Sequence, residues 1–291
     1  MSLKIQQTFL SLWAKAGKLP FPWPIRIGRA VAPLIVPLLK KRKHIAHVNL
    51  KLAYPELSEL QHVKLLHNTM QENIIGLFET AFGWWGNLNS IQIHAKGFEK
   101  LRELHTSGRG VLLVGAHYTS LDLGGAIVAN LLKIPVSVLY RPNNNPTIDQ
   151  IILERRQKLY QQVIPKNDMR RMIRLLRNGG TLWYPADQDH GKKHSVFAPF
   201  FGQQAASLIM TTKLAQASGC AVMILGYFRD EKNHYHIECI GPLNNYPSND
   251  LVADATQINQ SLEYFIRKKP SQYMWVHRRF KTQPDSVNFY K

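Results

Sequence analysis

A histidine and an aspartate five residues apart, His117 and Asp122 in the stretch VLLVGAHYTSLDLGG, are of types suited to general-base chemistry. An imidazole accepts a proton near neutral pH, and a carboxylate on its other nitrogen fixes the tautomer and stabilises the imidazolium that forms. A separation of five is not a same-face helical spacing, so a bend must bring the two side chains together. The apolar run 111–114 reads as a buried strand and 120–132 as a helix, and the turn between them supplies such a bend. The same residues have a purely structural reading. Thr119-Ser120-Leu121-Asp122 is a capping-box pattern in which Asp122 serves the helix N-terminus, with His117 a satisfied loop histidine. Spacing alone leaves both readings open.

Other expected strand ends carry polar groups, and in open α/β sheets ligands bind at the carboxyl ends of the strands. Asp187, Asp189 and His190 follow the strand expected at 181–184, and Arg141 follows the one at 136–139. No familiar metal-ligand spacing links the acids and His190, so no metal site is expected. Near the C-terminus, Tyr273 to Phe280 is aromatic and basic and holds Arg278 and Arg279. It is either a packed terminus with solvated arginines or the closing wall of an anion site.

These residues need a frame to hold them. A capping box at Ser58-Glu59-Leu60-Gln61 opens a long helix that carries Leu65, Leu66, Met70, Ile74, Leu77 and Phe78. Beyond it, helices and apolar strands alternate. Helices are expected near 98–104, 120–132, 148–160, 168–177, 207–217 and 253–268, and strands at 111–114, 136–139 and 181–184. A final strand pair, 221–228 and 235–240, spans a polar turn. Continuous apolar strands between amphipathic helices predict an α/β fold, a single-domain sheet covered by helices on both faces.

The chain has 291 residues, 45% hydrophobic and 19% charged, which suits a folded core and argues against disorder. Its 37 Lys and Arg against 19 Asp and Glu give a formal charge of +18, which calls for an anionic partner. No nucleic-acid-binding motif is recognisable, which disfavours DNA or RNA in that role. Cys220 and Cys239 sit in apolar strands and read as reduced core thiols. No signal peptide is expected, and no run reaches the ~20 apolar residues that span a bilayer. Residues 1–43 differ from 44–291: Leu10, Trp13, Phe21 and Trp23 stand among prolines, and Lys40, Lys41, Arg42 and Lys43 close the segment. Aromatic and apolar residues abutting four cations predict a membrane-interfacial segment on an anionic leaflet, ahead of a catalytic domain at 44–291.

Five blocks in a fixed order carry a resemblance. They are His117 to Asp122; Tyr140-Arg141-Pro142-Asn143-Asn144-Asn145-Pro146; Trp183-Tyr184 with Asp187, Asp189 and Gly191; Ser195 to Gly202; and Gln272 to Trp275 with Arg278 to Lys281. Together they resemble the late (lauroyl and myristoyl) acyltransferases of lipid A biosynthesis; the His-x4-Asp block alone is shared with glycerolipid acyltransferases, whose fold the resemblance implies. It further implies transfer of a fatty acyl group from acyl carrier protein to a hydroxyl on a 3-hydroxyacyl chain of a lipid A precursor. The setting implied is the cytoplasmic face of the inner membrane, with no cofactor beyond the acyl donor. In that reading His117 is the base and Asp122 holds its ring; the oxyanion donors stay open between backbone N–H groups near Thr119 and a nearby cation. Arg141, Asp187, Asp189, Arg278 and Arg279 bind substrate. The alternative is a glycerolipid or glycolipid acyltransferase with the same dyad.

Overall fold

The computed structural model describes the backbone of residues 3–291 and the side chains of Thr8 and residues 10–291; Met1 and Ser2 of the expected 1–43 segment lie outside the described residues. Three helices come first: α1 (Leu3–Gly17), α2 (Trp23–Ile35) and α3 (Lys40–Ala53). The prolines divide this stretch without abolishing its helices. Pro24 occupies the first turn of α2, where its missing N–H costs nothing, and a 3-10 turn, Val36–Leu38, ends the run at Pro37. The expected division at 43/44 falls inside α3.

The long helix α4 (Glu59–Trp85) begins at the expected capping box, with the Ser58 N–H donating to Gln61 Oε1 at 2.8 Å and the Gln61 N–H to Ser58 Oγ at 3.4 Å. Then follow β1 (Ile93–Lys96), α5 (Phe98–Thr106), β2 (Val111–Gly115), α6 (Leu121–Ala126), β3 (Val136–Tyr140), α7 (Pro146–Leu159) and β4 (Val163–Pro165). The chain continues through α8 (Met169–Arg177), β5 (Thr181–Pro185), β6 (Ser195–Phe200), β7 (Gln203–Leu208), α9 (Met210–Ser218), β8 (Ala221–Arg229), β9 (Tyr235–Ile240) and α10 (Leu251–Lys268).

Seven strands form one sheet in the order β1-β9-β8-β2-β5-β3-β4, parallel at every junction except β8–β9. Every residue of β2 is buried. Because successive strand side chains point to opposite faces, both faces of the sheet centre are covered. That is the environment its unbroken apolar run predicts. Cys220 and Cys239 are buried and free.

Two local expectations change. The helix expected from Ser207 starts at Met210, because residues 203–208 pair with β6 in an antiparallel hairpin. Its two-residue turn, Phe201-Gly202, has positive φ at both positions (49° and 73°), the signature of a primed hairpin turn. The helix expected over 120–132 is α-helical only to Ala126 and continues as a π turn, Ile127–Leu131. No helix among the described residues is long and apolar enough to cross a membrane.

Candidate active site

Strands β2 and β5 are neighbours, and their register pairs Gly115 with Pro185. Two residues further along each chain stand His117 and Asp187. The two strands therefore leave the sheet at the same level, and the Ala186 N–H still reaches the Gly115 carbonyl at 3.2 Å. His117 Nδ1 lies 2.7 Å from Asp187 Oδ1, and the His117 backbone N–H donates to Oδ2 at 3.0 Å. Asp187 is 2% exposed, while the His117 side chain keeps 21% of its surface open. Burial opposes ionisation of Asp187. The adjacent imidazole, both hydrogen bonds from His117 and the Tyr273 hydroxyl outweigh it and hold the carboxyl well below the usual carboxylate range. An ionised carboxylate only accepts, so Nδ1 carries the proton and Nε2 is the ring nitrogen left to exchange one.

The loop bearing His117 is fixed from two sides. The Thr119 N–H donates to the Gln272 carbonyl at 2.8 Å and the Met274 N–H to the His117 carbonyl at 2.9 Å, so the C-terminal segment clamps it. The amide expected near the oxyanion at Thr119 is thus already spent. On the other side lies α4, where Gly76 and Gly83 admit a close backbone approach. A Cβ at Gly76 would fall 2.3 Å from the Thr119 carbonyl oxygen, and one at Gly83 2.9 Å from Leu123 Cα. Gln272 is itself anchored, exchanging hydrogen bonds with the Arg229 backbone at 2.8 and 2.9 Å. The Arg229 guanidinium is buried between Glu72 and Glu79 of α4.

Asp122 sits where the sequence places it, in the first turn of α6, but the ring-holding contact belongs to Asp187. The Asp122 carboxylate is occupied by Arg156 of α7, whose Nε reaches Oδ1 at 3.0 Å and whose terminal nitrogen reaches Oδ2 at 3.3 Å. Nor is Asp122 a helix cap, since the cap position is Ser120 and makes no side-chain cap hydrogen bond. Burial works against the Arg156 charge and the Asp122 carboxylate overcomes it, raising the guanidinium above its ordinary value. This ion pair stands in the wall of an apolar cavity whose other walls include Leu113, Val128, Val138, Trp183, Leu225 and Tyr227.

The remaining expected residues divide. Asp187, expected on substrate, faces His117. Asp189 serves as an internal clamp: Oδ1 accepts from the Gly191 N–H and the Thr282 hydroxyl, each at 2.8 Å, and Oδ2 from the Thr282 N–H at 2.6 Å. Arg279 is 2% exposed, donates to the Ala206 carbonyl at 2.8 Å and Ser207 Oγ at 3.1 Å, and stacks over Phe200. Arg278 is exposed beside the Tyr290 ring, and Arg141 is exposed just past β3. No cluster able to hold a metal ion occurs among the described residues. Arg156 escapes sequence reading because only the α6–α7 packing brings it to Asp122. His277, from the aromatic and basic C-terminal block, adds a second imidazole 5.9 Å from the His117 ring, its pKa pushed down by burial and by His117.

Residues 3–282 match the family model of the bacterial lipid A biosynthesis acyltransferases. The chain is 34% identical to a lipid A biosynthesis lauroyltransferase of Escherichia coli (strain K12), over 93% of this chain and 89% of the relative. It is 31% identical to a palmitoleoyltransferase of the same pathway and organism, over 94% and 89% of the two chains. A myristoyltransferase from that organism is 24% identical, over 87% and 79%. By the extent of these matches, the chain is an acyltransferase belonging to the bacterial lipid A biosynthesis acyltransferase family.

Proposed function

We propose that the enzyme moves a fatty acyl group from the thioester of acyl carrier protein to a hydroxyl of a 3-hydroxyacyl chain on a lipid A precursor, with His117 as general base. The observation that carries this is the 2.7 Å contact between His117 Nδ1 and an ionised, buried Asp187. It leaves Nε2 free to take the acceptor's proton as the alcohol oxygen attacks the thioester carbonyl. Asp187 keeps the ring oriented and stabilises the imidazolium. The tetrahedral intermediate then expels the carrier's thiolate, a weak base that leaves with little assistance. Transfer is direct, because no Ser or Cys hydrogen-bonds to the histidine among the described residues.

The apolar cavity beside β2 and β5 is narrow, about 30 Å³, and must widen to receive an acyl chain; the Asp122–Arg156 pair stands in its wall. In this reading the His-x4-Asp spacing shared with glycerolipid acyltransferases serves two neighbouring tasks, base at His117 and wall at Asp122. The arginines of α8 offer an acidic carrier protein a basic face. Trp23, Leu34 and Leu38 expose apolar surface at 50%, 74% and 79%, close in sequence to Arg26, Arg29 and Lys40. That combination suits a membrane-interfacial segment on the anionic cytoplasmic leaflet of the inner membrane.

The test is mass spectrometry of lipid A from cells lacking the protein, beside transfer by the purified protein from acyl carrier protein thioesters. Loss of one ester-linked chain in cells and its restoration in vitro are expected. Unchanged lipid A, with no transfer to the precursor in vitro, overturns the assignment.

A further inference from the structure

A second depression lies near His117, lined by none of the apolar cavity's residues, and its character is cationic. Lys41 and Arg42 of α3 line it together with Arg278, Arg279 and Lys281 of the C-terminal segment. Its one lining carboxylate is Asp189, whose oxygens are already taken by Gly191 and Thr282. Lys281 Nζ stands 4.0 Å from that carboxylate, a weak pairing.

The walls are built into the fold. Arg42 donates to the Val276 carbonyl at 3.0 Å, and Asn49, about two turns along the same helix face, donates to the carbonyls of Trp275 and His277, each at 2.6 Å. Arg279 is 2% exposed, forms no ion pair among the described residues, and its Nε has no hydrogen-bond partner. A guanidinium buried without a carboxylate is costly, and an anion bound nearby relieves that cost. Burial accordingly pulls its pKa below the ordinary value. The cleft also lies close to the catalytic histidine: His277 lines it and stands 5.9 Å, ring to ring, from His117. Gln188, also in the lining, directly follows Asp187.

We infer that this cleft binds a phosphate monoester on the head group of the acceptor lipid and so sets the acceptor's hydroxyl at His117. The inference rests on the acyl-transfer reading and adds the feature of the acceptor that is recognised. Lysine and arginine side chains from two directions match the geometry and charge of a phosphate dianion. It also divides the basic run at the start of α3. Lys41 and Arg42 belong to the cleft, which leaves Lys40 and Lys43 for the leaflet.

The test is steady-state kinetics of the double variant Lys41→Gln/Lys281→Gln, two side chains that hold no backbone in place. Phosphorylated and enzymatically dephosphorylated lipid A precursor are compared as acceptors, with thermal unfolding confirming the fold. The variant is expected to raise KM for the phosphorylated acceptor at least about tenfold, while KM for the acyl carrier protein thioester moves less than about twofold. Equal effects on both acceptors, or none, overturn the inference. A rise confined to the donor's KM also overturns it, and identifies the phosphate as that of the carrier's prosthetic arm. If the wild-type protein transfers to neither acceptor, the acyl-transfer reading fails on its own. Calorimetric binding of the two precursors in detergent then still decides the cleft, through a preference for the phosphorylated form that the variant loses.

Discussion

His117 Nδ1 and Asp187 Oδ1 lie 2.7 Å apart, although seventy positions separate them in the chain. The parallel register of β2 and β5 joins them, since each stands two residues beyond a paired strand end. The carboxylate that holds the imidazole therefore comes from the neighbouring strand, and the nearby Asp122 belongs to Arg156.

Asp187→Asn removes the charge that stabilises the imidazolium and lets the ring take the other tautomer. The transfer rate is expected to fall by about 10²–10⁴. Initial rates of the folded variant measure it.

Asp122→Ala leaves the half-buried Arg156 without its carboxylate. Stability is expected to drop by roughly 1–3 kcal/mol, below the scale for breaking one half of a fully buried ion pair. Denaturant unfolding measures it.

The ionisation of Asp187 also ties stability to acid. Its folded-state pKa is depressed below the ordinary 3.8, so protons bind the unfolded chain more readily. The contribution is whole above that ordinary value and is lost as pH falls below it. Urea midpoints measured downward from pH 5 should decline, and Asp187→Asn should flatten the lower part of that decline.

Gly76→Ala places a methyl 2.3 Å from the Thr119 carbonyl oxygen. Backbone on both sides must shift, so the gain in helix propensity, up to about 1 kcal/mol, is outweighed. A net loss of roughly 1–3 kcal/mol is expected, with reduced transfer because the displaced loop carries His117. Thermal melts and initial rates test this together.

The sheet centre was legible because β2, β3 and β5 are unbroken apolar runs, and because turns with familiar chemistry follow them. The edges were not. β1 reads Ile-His-Ala-Lys with three exposed residues, and β4 has only three residues, so neither carries a pattern distinct from loop. The hairpin 195–208 hides behind Pro199 and small residues, and its turn depends on Phe201 adopting a positive φ that sequence does not announce. In the site, His117 and Asp187 were both visible as strand-end residues. Their partnership was not, because it follows from the register between two strands far apart in sequence. Asp122 was misdirected by proximity: five residues from a histidine looks like a partner, while Arg156, thirty-four residues on, is the group that packs against it.

The central claim is that His117 removes the acceptor's proton. It is tested most directly by the rate of acyl transfer from acyl carrier protein to lipid A precursor by His117→Ala, with circular dichroism and the melting temperature as checks on the fold. A folded variant slowed by at least about a thousandfold, a barrier difference of about 4 kcal/mol, is the predicted result. A folded variant that retains more than about a tenth of the wild-type rate contradicts the account.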